Sequence, residues 1–293
     1  DEVNPFLSVS DDPISIAYAR ARNSDPRSSF GDFVCVNQTV TVTLAKKLKT
    51  LVCDGLIAPD FEDEALTLLH TKKQGKFIIL QMPLVQVGGI DIGGERRELV
   101  LNNCPVVLKQ SSTNINWNNI LTLVKNGVGR DGDEEKMELV EDIMMGMISI
   151  LFTQSNSVGL SYRGQMIGIG AGQQSRIDCV DLACQKARIF LTRQTPEASS
   201  YLKGLTGKRQ DKINSLMKWA EMNSQLLSTT KNSGIAIISD AFFPFRDNID
   251  SCAKVGVKWV VQPGGSVQDQ QVEEACQEYG MTQILTNTRL FWH

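Results

Sequence analysis

The chain has 293 residues, enough for two domains of ordinary size or one large one with a substantial core. Hydrophobic residues make up 42% and charged residues 22%, a globular composition and not that of a disordered chain. A formal net charge of −3 disfavours general electrostatic binding to nucleic acid or anionic membrane, and no apolar run reaches the roughly 18 residues of a membrane span.

The opening Asp1-Glu2-Val3-Asn4 has no Met, basic region or apolar run, so it reads as an internal cut in a longer chain and not as a signal peptide. Ile14 to Ala21 is Ala-rich and helix-compatible, and Pro26-Arg27-Ser28-Ser29 breaks it. Phe33 to Val36 predicts a short strand. Leu44, Leu48, Leu51 and Val52 mark the apolar stripe of a helix over 43–52. Gly55 to Pro59 reads as a buried strand, Glu62 to Leu69 as a helix and Phe77 to Gln81 as a strand. The alternation favours an α/β sheet.

From Pro83 to about Gly132 the pattern weakens. Gly88-Gly89, Gly93-Gly94, an Asn-rich stretch at 114–119 and Gly129 to Gly132 punctuate it. We read a hairpin-bearing connector and place the domain boundary there, giving α/β domains over 1–132 and 133–293. Asp131 and Asp133 precede a helix in which Met137, Val140, Met144, Met147, Ile148 and Leu151 recur at helical spacing. This stripe is read as a core face, because Met commonly fills core gaps. Val158 to Tyr162 and Gln165 to Ile169 flank Arg163-Gly164 as a hairpin. A helix follows from about Ser175, with Ile177, Val180, Ala183, Cys184 and Ala187 inward. Lys203 to Leu216 is polar and reads as a mobile or partner-facing segment. Ile235 to Ile238, Val257 to Val261 and Gln283 to Thr286 predict strands, with helices over 248–254 and 271–279 between them. That order implies right-handed crossovers in a mainly parallel sheet.

The seven cysteines, at 35, 53, 104, 179, 184, 252 and 276, are odd in number and scattered, which fits reduced thiols better than a disulfide framework. No Cys-x-x-Cys occurs. The two histidines, His70 and His293, form no His-x-Glu or His-Glu-x-x-His pattern, so the sequence carries none of the usual zinc signatures.

Four segments are candidates for chemistry. The first is the strand, Gly-rich loop and helix over 165–188. Gly168, Gly170 and Gly172 leave the backbone open to a ligand, and free amides at the helix start, with Arg176 beside them, suit an anion. The third Gly spacing of a dinucleotide fingerprint and the Gly-Lys-Ser/Thr of a P-loop are both missing. The alternative is a tight strand-to-helix turn with Arg176 solvated. The second is Ser239 to Asn248, past a predicted strand. Its Phe side chains can flank a planar ring while Asp247 and Asn248 read the ring's polar edge, or the Phe cluster can plug the core while Asp247 caps a helix. The third is Gly264-Gly265-Ser266 before a helix, an anion or ring-edge site. The fourth is Arg289 to His293, a tail with three apolar residues that is expected to pack down and bring Arg289 and His293 to a site. Asp54 is either a turn residue or a ligand contact, and His70 is structural or exposed.

Together, Ser28-Ser29-Phe30-Gly31-Asp32-Phe33, Asp54-Gly55-Leu56-Ile57-Ala58-Pro59, Thr153-Gln154-Ser155-Asn156-Ser157-Val158, Gly168 to Arg176, Ser239 to Asn248, Gln262-Pro263-Gly264-Gly265-Ser266 and Arg289-Leu290-Phe291 resemble the formyltransferase part of the AICAR transformylase/IMP cyclohydrolase family. The resemblance covers nearly the whole chain and is weakest at 83–130. It implies two α/β domains similar to cytidine deaminase but without its zinc. It implies formyl transfer from 10-formyltetrahydrofolate to the 5-amino group of 5-aminoimidazole-4-carboxamide ribonucleotide (AICAR), in purine biosynthesis. By the family's pattern Gly31, Asp54, Asn156, Phe242, Arg289 and His293 line the nucleotide site, with Arg289 the phosphate partner and Asn156 orienting the reacting amide or formyl group. Arg176, Pro244, Phe245, Asp247 and Asn248 border the folate. The resemblance also implies a cytoplasmic homodimer with active sites at its interface, and some members bind a potassium ion near the segment that is Thr153–Ser157 here.

The amine of an aminoimidazole carboxamide is a poor nucleophile, because its lone pair is delocalised into the ring. It needs proton removal as it attacks, and the formyl oxygen needs a donor as charge builds. The family's Lys-His pair, its Arg-Tyr-Gly-x-Asn-Pro-x-Gln segment and the cyclohydrolase domain are expected upstream of Asp1. The tail reads Phe-Trp-His where Phe-His-His is common. The 293 residues alone are therefore expected to be nearly inactive. A non-catalytic relative that keeps nucleotide or folate binding as a scaffold or regulator is the alternative.

Overall fold

The protein is described from a computed structural model over residues 11–83, 96–101, 104–109, 115, 117–127, 133–224 and 234–290. Helix α1 (Pro13–Ser24) starts on a proline, whose fixed φ suits a first turn. Strand β1 (Asp32–Cys35), helix α2 (Val42–Thr50), strand β2 (Cys53–Ala58), helix α3 (Asp63–His70) and strand β3 (Ile78–Gln81) follow. The strands form a parallel sheet in the order β1-β2-β3. Leu44, Leu48, Leu56, Leu69 and Tyr18 share the core beneath it. Thr41 caps α2 by accepting from the Leu44 amide at 3.1 Å. At the other end of α2, the buried Lys72 ammonium donates to the carbonyls of Leu48 and Leu51 at 2.8 and 2.6 Å, closing its last turn.

Strands β4 (Arg96–Leu101) and β5 (Cys104–Lys109) are an antiparallel pair, the hairpin expected in the connector. Gly88-Gly89, Gly93-Gly94 and Gly129 to Gly132 lie outside the described residues. Helix α4 (Trp117–Gly127) is an element that the reading of 83–132 as a hairpin-bearing connector did not anticipate. Asn118 and Asn119 lower its helix propensity, but burial of Ile120 and Val124 beside α5 (Asp133–Leu151) outweighs a few tenths of a kcal/mol per residue. The Met stripe of α5 divides: Met147 is in the core, whereas Met137 is exposed.

Strands β6 (Ser157–Tyr162) and β7 (Gln165–Ala171) form the predicted hairpin, with Arg163 and Gly164 both at positive φ. Helix α6 (Arg176–Arg193) follows. Helices α7 (Pro196–Gly204) and α8 (Arg209–Asn223) give most of 203–216, read as a mobile or partner-facing segment, a helical structure with Leu216 buried and most of its other residues at least partly exposed. Strand β8 (Ile235–Ser239), helix α9 (Asp247–Ala253), strand β9 (Val257–Gln262), helix α10 (Asp269–Glu278) and strand β10 (Thr282–Leu285) complete the chain. The sheet order is β10-β9-β8-β6-β7, with β8, β9 and β10 parallel and β6 antiparallel to both its neighbours. The sheet is thus mixed, and its parallel part is the final strand-helix-strand series.

Contacts divide the chain into two units, Asp1–Gln86 with Ile189–Gln225, and Val87–Arg188 with Leu226–His293. The expected division at 132/133 differs from this because α4 shares the core of α5 and the five-stranded sheet, and because Arg193 in the last turn of α6 bonds back to α1. Among the described residues no helix is long and apolar enough to cross a membrane.

Candidate functional site

The predicted site residues fall in both units, and each group is described by itself. In the first unit, Gly31 has φ +82 and donates its amide to the Val52 carbonyl at 3.1 Å. The left-handed conformation there is one that glycine adopts without a steric penalty. Asp54, at the start of β2, faces the same point: its carboxylate is 4.0 Å from where a Gly31 Cβ would sit. The Asp54 carboxylate is exposed and pairs with Lys73. At Gly55 the exposed Phe33 ring lies over the space a Cβ would take. The structure therefore brings Gly31 and Asp54 together at one end of a parallel sheet.

In the second unit the centre is Asp240, which follows β8 and is fully buried. Its Oδ2 accepts from the Ser155 hydroxyl, from the Ser157 amide at 3.0 Å and from the Ser157 hydroxyl at 3.0 Å. Its Oδ1 accepts from Arg176. Arg176, only 8% exposed, also donates to the Ser157 carbonyl at 3.1 Å and to Asn156 Oδ1 at 2.9 Å. The guanidinium is accordingly neither solvated, as one reading had it, nor free at the helix start. It is the buried partner of a carboxylate, where both charges are desolvated and each depends on the other. Asn156 is half-buried, and its Nδ2 donates to the carbonyls of Gln173 and Gln174 at 3.0 and 3.1 Å. Both amide hydrogens are thereby engaged, which leaves a lone pair on Oδ1 as the free valence.

The Gly-rich segment differs from a phosphate-cradling loop. Gly168 and Gly170 lie within β7, and a Cβ at either would strike the backbone of α6 at Ala183 or Cys179. Their bareness serves close strand-helix packing. Only Gly172, at φ +66, makes the turn. The Ser175 hydroxyl takes up one helix-start amide by accepting from Asp178 at 3.2 Å.

The loop after β8 divides its aromatic residues. Phe243 is fully buried and its amide donates to Gln262 Oε1 at 2.6 Å. Phe245 is 56% exposed, and Phe242 and Pro244 are half-buried. The plug and the ring-flanking surface thus coexist in one loop. Asp247 makes no capping bond to α9; its carboxylate accepts from Asn248 Nδ2 at 2.7 Å. Asn248 is buried, and its Oδ1 has no hydrogen-bond partner, nor have Gln262 Nε2 and Ser239 Oγ. Orphaned buried polar atoms are uncommon in native folds, and a cluster of them around one loop marks a place for a polar ligand or water.

The glycine turn before α10 is satisfied internally. Asp269 accepts from the amides of Gly265 at 2.7 Å and Ser266 at 3.1 Å, so a carboxylate already holds the anion position. Leu290 is buried and donates its amide to the Asp240 carbonyl at 2.9 Å, which packs the tail against the centre and carries exposed Arg289 beside it. His293 lies outside the described residues. His70 is exposed in the last turn of α3. Among the described residues no group of three His, Cys, Asp or Glu is placed to hold a metal ion.

Sequence reasoning passed over Asp240 and Lys72. Asp240 carried a signal: an acidic residue directly after a wholly apolar strand, which must be paired wherever that strand is central.

The family described as "AICARFT/IMPCHase bienzyme" matches residues 3–186. The "Bifunctional purine biosynthesis protein PurH" of Magnetococcus marinus is 30% identical over 287 residues, 98% of this chain and 46% of that protein. Its namesake in Aquifex aeolicus is 30% identical over 290 residues, covering 99% of this chain and 46% of the relative. The one in Persephonella marina is 28% identical over 277 residues, 94% and 44% of the two lengths. The chain therefore spans less than half the length of the curated relatives it matches.

Proposed function

Because the chain belongs to the AICARFT/IMPCHase bienzyme family, we propose that it is the formyl-transfer portion, moving a formyl group from 10-formyltetrahydrofolate to the 5-amino group of AICAR. In this reaction the bond from the formyl carbon to N10 of the folate breaks and one to the amino nitrogen forms. The proton lost by the amine balances the nitrogen released. The full-length protein also carries IMP cyclohydrolase activity on this reading, as the family's description implies.

One observation carries the reading: the buried Arg176–Asp240 pair fixes Asn156 and the Phe242–Asn248 loop on the C-terminal side of β8, where α/β sheets place ligands. With both its amide hydrogens engaged, Asn156 acts as an acceptor. It takes a hydrogen bond from the carboxamide or amine of the nucleotide and orients the amine for attack. Arg289 meets the phosphate in a forked contact and Phe242 packs on the base, while His293 is assigned to the nucleotide by the resemblance alone. Gly31 lets the nucleotide approach the backbone, and Asp54 accepts from its polar groups. Exposed Phe245 and Pro244 offer apolar surface to the folate ring, whose polar edge Asn248 Oδ1 and Asp247 read. Arg176 serves the folate side by holding Asn156 in place.

Two further parts of the reading stand on the resemblance. The potassium ion near Thr153–Ser157 stands on the resemblance alone, because the Asp240 carboxylate there already accepts from Ser155, Ser157 and Arg176. Phe33, Ile78, Leu80 and Met82 are exposed apolar residues in and after β1 and β3, which supports a homodimer that covers them.

The test is formyl transfer by the full-length gene product with both substrates. Arg289→Ala is expected to raise the KM for the nucleotide about tenfold or more while leaving that for the folate unchanged. Asn156→Ala is expected to lower kcat with little change in either KM. Binding of both substrates without turnover would overturn the catalytic reading in favour of a non-catalytic relative.

A further inference from the structure

The first unit contains a cavity of about 160 Å³ that the proposed reaction does not use. It is lined by α1, the loop leading to β1, the end of α2, the last turn of α6 and the first turns of α8. Neither Gly31 nor Asp54 lines it, although Phe30 and Val52 on its wall are near neighbours of both.

Its wall is chemically divided. One part is apolar: Leu51, Val52, Ile213, Leu216 and Met217. The other carries three guanidinium groups, Arg22, Arg193 and Arg209, and no carboxylate lines the cavity. Arg22 is neutralised, since it donates to Asp32 at 2.6 Å and to the Tyr18 hydroxyl at 3.1 Å. The other two are not. Arg193 is 7% exposed and donates to Asn23 Oδ1 and to the carbonyls of Asn23 and Ser24, all neutral acceptors. Asp25 acts on it through space without forming a salt bridge, and that carboxylate also accepts from the amide and hydroxyl of Ser28. Arg209 has no carboxylate within salt-bridge range among the described residues, and Arg22 repels it. The Nε of Arg193 and the Nε of Arg209 are both buried with no hydrogen-bond partner.

A buried guanidinium whose hydrogen bonds all go to neutral acceptors is costly, and Arg193 is one, while the half-buried Arg209 keeps its Nε buried and unpartnered. Burial pushes the Arg193 guanidinium down to about 10 and lowers Arg209 as well. Arg209 also opens α8, whose N-terminal residue Lys208 makes no side-chain cap. Arg209 and Gln210, on the cavity wall, therefore put the start of α8, whose first amides have no partner within the helix, beside it. Asp211 in that first turn does not line the cavity.

From two guanidinium groups with buried, unpartnered Nε atoms on one wall, the uncapped helix start and the apolar wall, we propose that this cavity binds a small organic anion. Its phosphate or carboxylate head meets Arg193, Arg209 and the α8 amides, and its apolar body lies against Ile213, Leu216 and Met217. The volume sets the size, because an apolar cavity of about 150 Å³ accepts a single benzene ring. The ligand is thus an oxyanion on a body of about one ring. The inference does not depend on formyl transfer.

Calorimetric titration of the 293-residue chain with phenyl phosphate, benzoate, inorganic phosphate and toluene tests it. Saturable one-to-one binding of phenyl phosphate or benzoate is expected, tighter than phosphate or toluene, and the tighter of the two identifies the head group. Arg209→Ala should weaken it about tenfold or more. Gln210→Glu should do the same while leaving the fold intact, because an acid in a first helical turn is stabilising. Arg209→Lys should restore part of the affinity. No saturable binding, equal binding of toluene, or binding unchanged in both Arg209→Ala and Gln210→Glu overturns the proposal.

Discussion

At the scale of single residues, the buried ion pair between Arg176 and Asp240 governs the candidate site. Neither charge is tolerable alone in that environment. Asp240→Asn strands a guanidinium in the interior and is expected to lower the unfolding free energy by about 3–5 kcal/mol in urea denaturation. Replacing both partners, as Arg176→Met with Asp240→Leu, should recover much of that stability without recovering ligand binding, because Asn156 then loses its anchor. A double variant no more stable than the single one would count against the pairing. Arg176 was visible in the sequence as a cation in a first helical turn, and its partner was not. A separation of sixty-four positions hides a contact that only a sheet with β6 beside β8 creates.

At the scale of elements, β7 and α6 explain why glycines recur where no phosphate loop exists. Gly170→Ala sets a methyl against the Cys179 carbonyl of α6 and is expected to cost about 1–3 kcal/mol. Gly204→Ala, with open space around it at the end of α7, should cost nothing, and a thermal melt of the two variants separates them. The β6–β7 hairpin is tied to α5 by Asp142, whose carboxylate accepts from the amides of Arg163 and Gly164 at 3.1 and 2.7 Å. Burial pushes that carboxyl up from its ordinary 3.8 to about 6, against the pull of those two amides. Its folded-state value exceeds its unfolded one, so the folded protein binds the proton more tightly. The contribution is fully present below about pH 4 and is lost as pH rises through about 6. Asp142→Asn should flatten the fall in unfolding free energy across that window, and an unchanged slope would refute the assignment. The hairpin itself was legible from Arg163-Gly164, whereas the carboxylate beneath it was not, since α5 looked like any amphipathic helix.

At the scale of the whole molecule, the chain leaves its first unit after Gln86 and returns for 189–225. Leu44→Ala in the first core should cost about 2–5 kcal/mol. Amide exchange in that variant is expected to rise over α7 and α8 together with α1 to α3, while β8 and β9 keep their protection. A rise confined to 11–83 would show that 189–225 does not share that unit's stability. The sequence by itself determined the α/β class, most element positions, the hairpin, and the family through seven ordered motifs, because periodicity, turn chemistry and local residue identity are read along one strand of chain. It also marked Gly31, Asp54, Asn156 and the Phe242–Asn248 loop. Only the tertiary structure decided that Arg176 is a buried partner of Asp240, that Gly168 and Gly170 serve packing, that Asp269 fills the turn at Gly265, and that α7 and α8 pack Leu202, Leu216 and Met217 inward. It alone placed Arg193 and Arg209 on one cavity wall. Each of these rests on groups far apart in sequence meeting in a low-dielectric interior, where an unpaired charge or a displaced methyl costs more than any local propensity.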